Sequence, residues 1–174
     1  MTKVFMTQIP SEEAMKQSLQ KLSSSMDPRT LLTYILLRKM STDLEVALDA
    51  YFSRFQLSSG RYHILGLLND DPLGLKPSVL AQRVGVSQAT ISGLINSLEK
   101  AGLVIRKSDP RDGRAFMITL TDLGTQTLEK IAPDYVRRVD EFLSNHTPEE
   151  KIMLSRLLEK TIGNVEKLTK NIVI

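Results

Sequence analysis

The chain has 174 residues, 41% hydrophobic and 25% charged, the composition of an ordinary globular protein large enough to fold around its own core. It contains no cysteine, which excludes a disulfide framework, thiolate metal sites, a cysteine nucleophile and a thiol redox sensor within this chain. The net charge is only +3, but between Lys76 and Arg114 seven basic residues stand against three acidic ones, leaving the rest slightly acidic. A phosphate-facing surface carries such a block; so does a solvated face with uneven charge. Apolar runs such as Tyr34–Leu37 are too short to cross a bilayer. The first residues lack a basic segment followed by an apolar core. A cytoplasmic protein is expected.

In chain order, Ser11-Glu12-Glu13 opens a short amphipathic helix bearing Ala14, Met15, Leu19 and Leu22, which Ser23-Ser24-Ser25 ends. Asp27 then supplies a cap and Pro28 suits a first helical position. From there Leu32, Ile35, Leu36, Met40, Leu44, Leu48, Tyr51, Phe52 and Phe55 recur three and four apart, predicting one long helix. Ser59-Gly60 is expected to break it. A short apolar helix follows through Tyr62, Ile64, Leu65, Leu67 and Leu68 and closes at Asp70-Asp71-Pro72.

Two short helices come next, near 77–84 and 87–101, with Gly85 between them. The period then changes. Residues 103–107 and 115–120 read as strands, and the proline, aspartates and glycine between them are hairpin signals. Helical periodicity returns after Thr121 and persists to about Lys170, broken at Asn145–Pro148. There Thr147-Pro148-Glu149-Glu150 has the form of a capping box. The last stripe is Leu154, Leu157, Leu158, Thr161, Ile162, Val165 and Leu168. A small central module cannot cover the apolar stripes at both chain ends, so the surplus is expected to pack against a second copy. The predicted organisation is an extension over 1–27, a helical dimerisation region from 28–58 and 125–174, and a central module over 59–124.

Within that module Leu80, Val84, Val86, Ile91 and Leu94 are spaced to lock one helix across another. Ala81 permits the close crossing, and Gly85 suits a turn with unusual backbone, as a helix-turn-helix requires. Ser87 is placed to cap the second helix. The plainer alternative is a helical hairpin in an all-helical core. The second helix then offers Gln88, Ala89, Thr90, Ser92, Gly93, Asn96 and Lys100 on a face nearly free of charge. Short side chains let its backbone approach base edges. Gln and Asn pair with adenine, and an Ala or Thr methyl can touch the thymine methyl.

Beyond it Arg106, Lys107, Arg111 and Arg114 cluster at a hairpin tip tightened by Pro110 and Gly113. Arginine beside a recognition helix can contact phosphates and enter the minor groove. Lys100 joins these as a phosphate contact. Unpaired acids here would repel phosphate, so Asp109 and Asp112 are assigned to pair with Arg111 or Arg114 and stabilise the wing.

The segment Leu80–Leu128 closely resembles the multiple-antibiotic-resistance regulator (MarR) family of winged helix-turn-helix repressors. The resemblance rests on Leu94-Ile95-Asn96-Ser97-Leu98-Glu99-Lys100-Ala101-Gly102-Leu103-Val104, on Asp109-Pro110-Arg111-Asp112-Gly113-Arg114-Ala115 and on Leu120-Thr121-Asp122-Leu123-Gly124. The flanking helices fit in length and order, extending it to about residues 28–170. It implies a mainly α fold, with a winged helix-turn-helix flanked by N- and C-terminal helices that interlock in a pseudo-twofold homodimer. It also implies Arg114 in the minor groove, Asp109 and Arg111 holding the wing, and repression relieved by a small-molecule effector. Two recognition helices in successive major grooves would read a pseudo-palindrome in double-stranded DNA. Residues 1–27 exceed the usual pattern.

By the same resemblance His63 borders the effector pocket, so Arg61, Tyr62 and His63 are candidate ligand contacts; a partly buried polar role is the other reading. His146 reads as a surface loop residue. Two histidines without partners nearby in sequence make no metal site, and no cofactor is expected. GxSxG, HExxH and a phosphate-cradling glycine loop are missing, so no enzyme is expected. The reading from another class is a winged-helix adaptor that binds protein and never DNA. It would want an apolar or acidic exposed face, whereas this one is polar with four basic residues at the wing.

Overall fold

The computed structural model describes residues 8–22, 25–109 and 112–170, except for the side chains of 109 and 112–115. The mainly helical winged-helix architecture forms as expected. Its elements are α1 (Glu12–Lys21), α2 (Pro28–Ser53), α3 (Ser59–Asn69), α4 (Pro77–Val84), α5 (Gln88–Lys100), β1 (Val104–Asp109), β2 (Asp112–Leu120), α6 (Asp122–Phe142) and α7 (Pro148–Ile162). The chain divides into two compact units, one ending at Thr125 and the other beginning at Gln126.

In the first unit α1 starts where Ser11 Oγ accepts the Ala14 amide at 3.2 Å. It lies against α2 with Met15 and Leu19 buried, and Glu12 pairs with Arg29 at 3.3 Å. Leu22, expected on that stripe, is 75% exposed because it caps the helix beyond its last packed turn. Asp27 Oδ1 accepts the Arg29 amide at 3.0 Å, opening α2 behind Pro28.

The break after α2 falls earlier than Ser59-Gly60. Both residues lie in the first turn of α3, and the reversal is made by residues 54–58, with Gln56 in the left-handed region at φ 58° and Leu57 buried. Ser58 Oγ accepts the Arg61 amide at 3.3 Å, and Asp49 on α2 accepts the Ser59 amide at 2.8 Å. That second bond spans ten residues, beyond the reach of a local pattern.

The core of this unit is Ile64, Leu65, Leu80, Ile91, Ile95, Leu98 and Ile118, all fully buried. β1 and β2 pair antiparallel, with Arg106 opposite Ile118 and Ser108 opposite Phe116. A third segment escaped the sequence reading. Leu75 exchanges both backbone hydrogen bonds with Ile118, at 3.0 and 2.9 Å, fixing the base of the hairpin. The Leu120–Gly124 motif has a structural reason as well. Thr121 Oγ1 donates to the Gly102 carbonyl at 2.6 Å and accepts the Gly124 amide at 3.0 Å, tying the hairpin to the start of α6. A Cβ on Gly124 would collide with the Leu103 carbonyl.

In the second unit α6 carries Arg137 between Asp134 and Glu141, whose hydrogen bonds and charges raise its guanidinium pKa. α7 opens on the predicted capping box: Thr147 Oγ1 accepts the Glu150 amide at 3.2 Å, and Glu150 accepts the Thr147 amide at 2.8 Å. It ends at Ile162 rather than near Lys170, since Gly163-Asn164 are poor helix formers and only a 3-10 turn, Val165–Leu168, follows. No residue of α7 is buried.

Candidate nucleic-acid interface

The turn between α4 and α5 is built as the residues require. Gly85 adopts φ 73°, and its amide and that of Val86 both return to the Ala81 carbonyl, at 2.9 and 3.0 Å, closing α4 with a left-handed cap. Ala81 is buried at the crossing. Ser87 Oγ accepts the Thr90 amide at 3.2 Å and starts α5. Leu80 and Ile91 of the predicted lock are fully buried, while Val84, Val86 and Leu94 are half-buried.

Helix α5 is divided by its periodicity. Ile91, Ile95 and Leu98 face the core, while Ser87, Gln88, Ala89, Thr90, Ser92, Gly93, Asn96 and Lys100 are all exposed. Three hydroxyls near its start serve the backbone or each other. Ser92 Oγ donates to the Gln88 carbonyl at 2.8 Å, and the Ser87 and Thr90 hydroxyls lie 2.9 Å apart. Gln88 and the small residues Ala89 and Gly93 are thus presented outward on a rigid frame.

Next to this face stands Arg106 of β1. Its Nη2 donates to Asn96 Oδ1 at 2.5 Å, its Nη1 lies 3.5 Å from Glu99 Oε2, and its guanidinium sits 5.2 Å from the centre of the Phe116 ring. Glu99 and Phe116 were not singled out from sequence, although spacing offered a signal. Glu99 lies three residues after Asn96 on one helix face, and Phe116 is diagonal to Arg106 across the hairpin. Lys100 and Lys107 are exposed. Arg83, counted in the basic block, is matched by Asp71 at 2.6 Å. Arg111 lies outside the described residues, as do the side chains of Asp109, Asp112 and Arg114.

The candidate ligand contacts on α3 do not converge. Half-buried Arg61 donates from Nη1 to Ser97 Oγ on α5 at 3.1 Å, and its Nε lies 3.4 Å from Ser58 Oγ. Tyr62 stacks on Phe52 at 4.3 Å. His63 is exposed rather than partly buried, and His146 is exposed next to the cap of α7. Among the described residues no three His, Asp or Glu side chains are grouped to hold a metal ion. Nor is any described helix long and apolar enough to cross a membrane.

Comparison with known proteins identifies the family. The MarR family model matches residues 55–115, which run from the end of α2 through the helix-turn-helix into the hairpin. The HTH-type transcriptional repressor YetL of Bacillus subtilis is 32% identical over 136 residues, covering 78% of this chain and 81% of YetL. This chain belongs to the MarR family. The HTH-type transcriptional regulator PecS of Dickeya dadantii is 30% identical over 144 residues, covering 82% of this chain and 84% of PecS. In three dimensions the chain is similar to MepR of S. aureus in a MepR–DNA complex, with a TM-score of 0.68 at 24% identity, over 75% of this chain and 94% of that one. As a MarR-family member the chain is a transcriptional regulator.

Proposed function

We propose that this MarR-family chain is a homodimeric repressor that binds a pseudo-palindromic site in double-stranded DNA, in the cytoplasm, and is released by a small-molecule effector. The observation that carries the reading is the outer face of α5: exposed and polar, with its one acid, Glu99, matched by Arg106, and mounted on a fully buried inner face. Gln88, with Ala89, Thr90, Ser92 and Gly93 around it, is the reading surface for base edges. Lys100, Lys107, Arg111 and Arg114 meet phosphates and the minor groove, with Asp109 and Asp112 shaping the wing. The described face offers neither the apolar patch nor the acidic surface that a protein adaptor would use. Repression is the role that YetL's name carries, and DNA is the ligand named with MepR; both are assigned here to this chain.

Dimerisation through residues 28–58 and 125–174 is supported by what the helices leave uncovered. In the second unit Ile131 is the one buried residue among those described, while Ile152, Met153, Leu157, Ile162, Val165 and Leu168 are all more than half exposed. Apolar stripes of that length belong at an interface. The direct test is anisotropy binding to a labelled fragment from just upstream of the chain's own gene, titrated with salt and scrambled competitor. A dimer neutralising about eight phosphates gives a log–log salt slope near −7. Tight binding that resists scrambled DNA establishes a sequence-specific regulator. No binding even at low salt refutes the reading.

A further inference from the structure

Arg106 and Asn96 stand in the sequence among the residues that would touch DNA, one as a phosphate contact and the other as a base reader. In the folded chain they hold each other. We propose that Arg106 is a positioning residue that sets the wing against the recognition helix, and that Asn96 and Glu99 are its anchor on that helix. The proposal rests on the DNA-binding reading above.

Three sides of one guanidinium carry the argument. One edge donates to Asn96 Oδ1 at 2.5 Å, another Nη lies 3.5 Å from Glu99 Oε2, and Phe116 lies beneath the plane with its ring centre 5.2 Å from Cζ. Asn96 and Glu99 come from one turn of α5, Arg106 from β1 and Phe116 from β2, so a single fork joins the helix to both strands. Only a planar group with several fixed donors can do this; an ammonium has neither the fork nor the flat face. Electrostatics point the same way. Glu99 matches the Arg106 charge, and its carboxylate would repel a phosphate drawing up to that guanidinium. Asn96, with its acceptor oxygen engaged, cannot present the paired acceptor and donor that adenine reading needs.

The consequence is preorganisation. A hairpin fixed to the helix before binding lets the major-groove and minor-groove contacts form together, without ordering the wing at the moment of association. The pair is surface-exposed and its direct stabilisation of the fold is small; what it sets is an angle.

The test compares Arg106→Ala, Arg106→Lys and Asn96→Ala, each first shown by melting to be folded. A brace predicts that both Arg106 variants bind operator about tenfold or more weakly at an unchanged salt slope. It also predicts that adding Asn96→Ala to Arg106→Ala costs little more. In the free protein, with no DNA present, amide hydrogen exchange at Lys107, Ser108 and Met117 rises in both Arg106 variants. If instead Arg106→Lys binds like wild type and Arg106→Ala flattens the slope by close to 2, about 0.9 for each of two phosphates, Arg106 is a phosphate contact and the proposal fails. Unchanged wing exchange in the free variants overturns it equally. Should wild type bind no DNA while wing exchange still follows Arg106, the brace stands and the DNA reading is what fails.

Discussion

At the residue scale, burial decides what a polar group does. Thr119 on β2 is 8% exposed, and its hydroxyl is the one buried side-chain polar atom among the described residues without a hydrogen-bond partner. An unmade hydrogen bond of this kind costs about 1–3 kcal/mol. Thr119→Val keeps the shape and removes the orphan, so it is expected to stabilise the chain by about 1 kcal/mol and raise Tm by a few degrees. A lower Tm would mean that the hydroxyl is satisfied in solution. Gln88 is the opposite case, a polar side chain exposed at the start of α5. Gln88→Ala should relax base preference by about 1–3 kcal/mol at one position of each half-site, seen in binding to a panel of single-base operator variants. Arg114→Ala should instead weaken all sequences alike, about tenfold, with the dimer intact. Equal affinity for Arg114→Ala and wild type would remove Arg114 from the interface. Both expectations come from residue type and position alone. The Arg106–Asn96 bond was not legible there, because ten residues and a turn separate the partners.

At the scale of elements, two glycines shape the DNA-binding module for different reasons. Gly85 needs only its backbone: φ is 73°, and a Cβ there would meet open space. Gly85→Ala should therefore cost about 1–2 kcal/mol, the usual penalty for a left-handed alanine. Gly124 is an ordinary helical residue whose missing Cβ makes room for the Leu103 carbonyl. Gly124→Ala must displace backbone and should cost more than about 3 kcal/mol. Urea midpoints of the two variants will order them; the reverse order would contradict this assignment of causes. Sequence pattern alone identified Gly85 as a turn residue because turn chemistry is local. It gave no reason for Gly124, since the constraint comes from a loop twenty-one residues earlier. The same distinction explains the α2–α3 junction. Ser59-Gly60 reads locally as a breaker, yet Asp49 accepts the Ser59 amide and draws both residues into a helix.

At the scale of the molecule, the exposed apolar residues of α6 and α7 are the largest unmet demand. Val136, Val139 and Phe142 on α6 are exposed, as are Ile152, Met153, Leu157 and Ile162 on α7. A helix without a buried face has little tertiary stability of its own. Removal of residues 157–174 is accordingly expected to convert dimers to monomers or aggregates, measured by sedimentation, with operator binding lost. A well-behaved monomer that still bound operator tightly would refute the dimeric arrangement.

What the amino-acid sequence determined by itself was whatever depends on near neighbours. Helical stripes, the Ser87 and Thr147 caps, the Gly85 turn and the switch from period 3.6 to period 2 at the hairpin all act within a few residues, so they could be read in order. The family resemblance rested on the same short motifs. Tertiary structure decided what depends on chain segments meeting from a distance. It paired Leu75 with Ile118, moved the helix break ahead of Ser59, and turned Arg106 and Asn96 toward each other. The physical reason is common to all three: hydrogen-bond donors and acceptors are satisfied by the nearest group in space, and a linear pattern records only the nearest group in sequence.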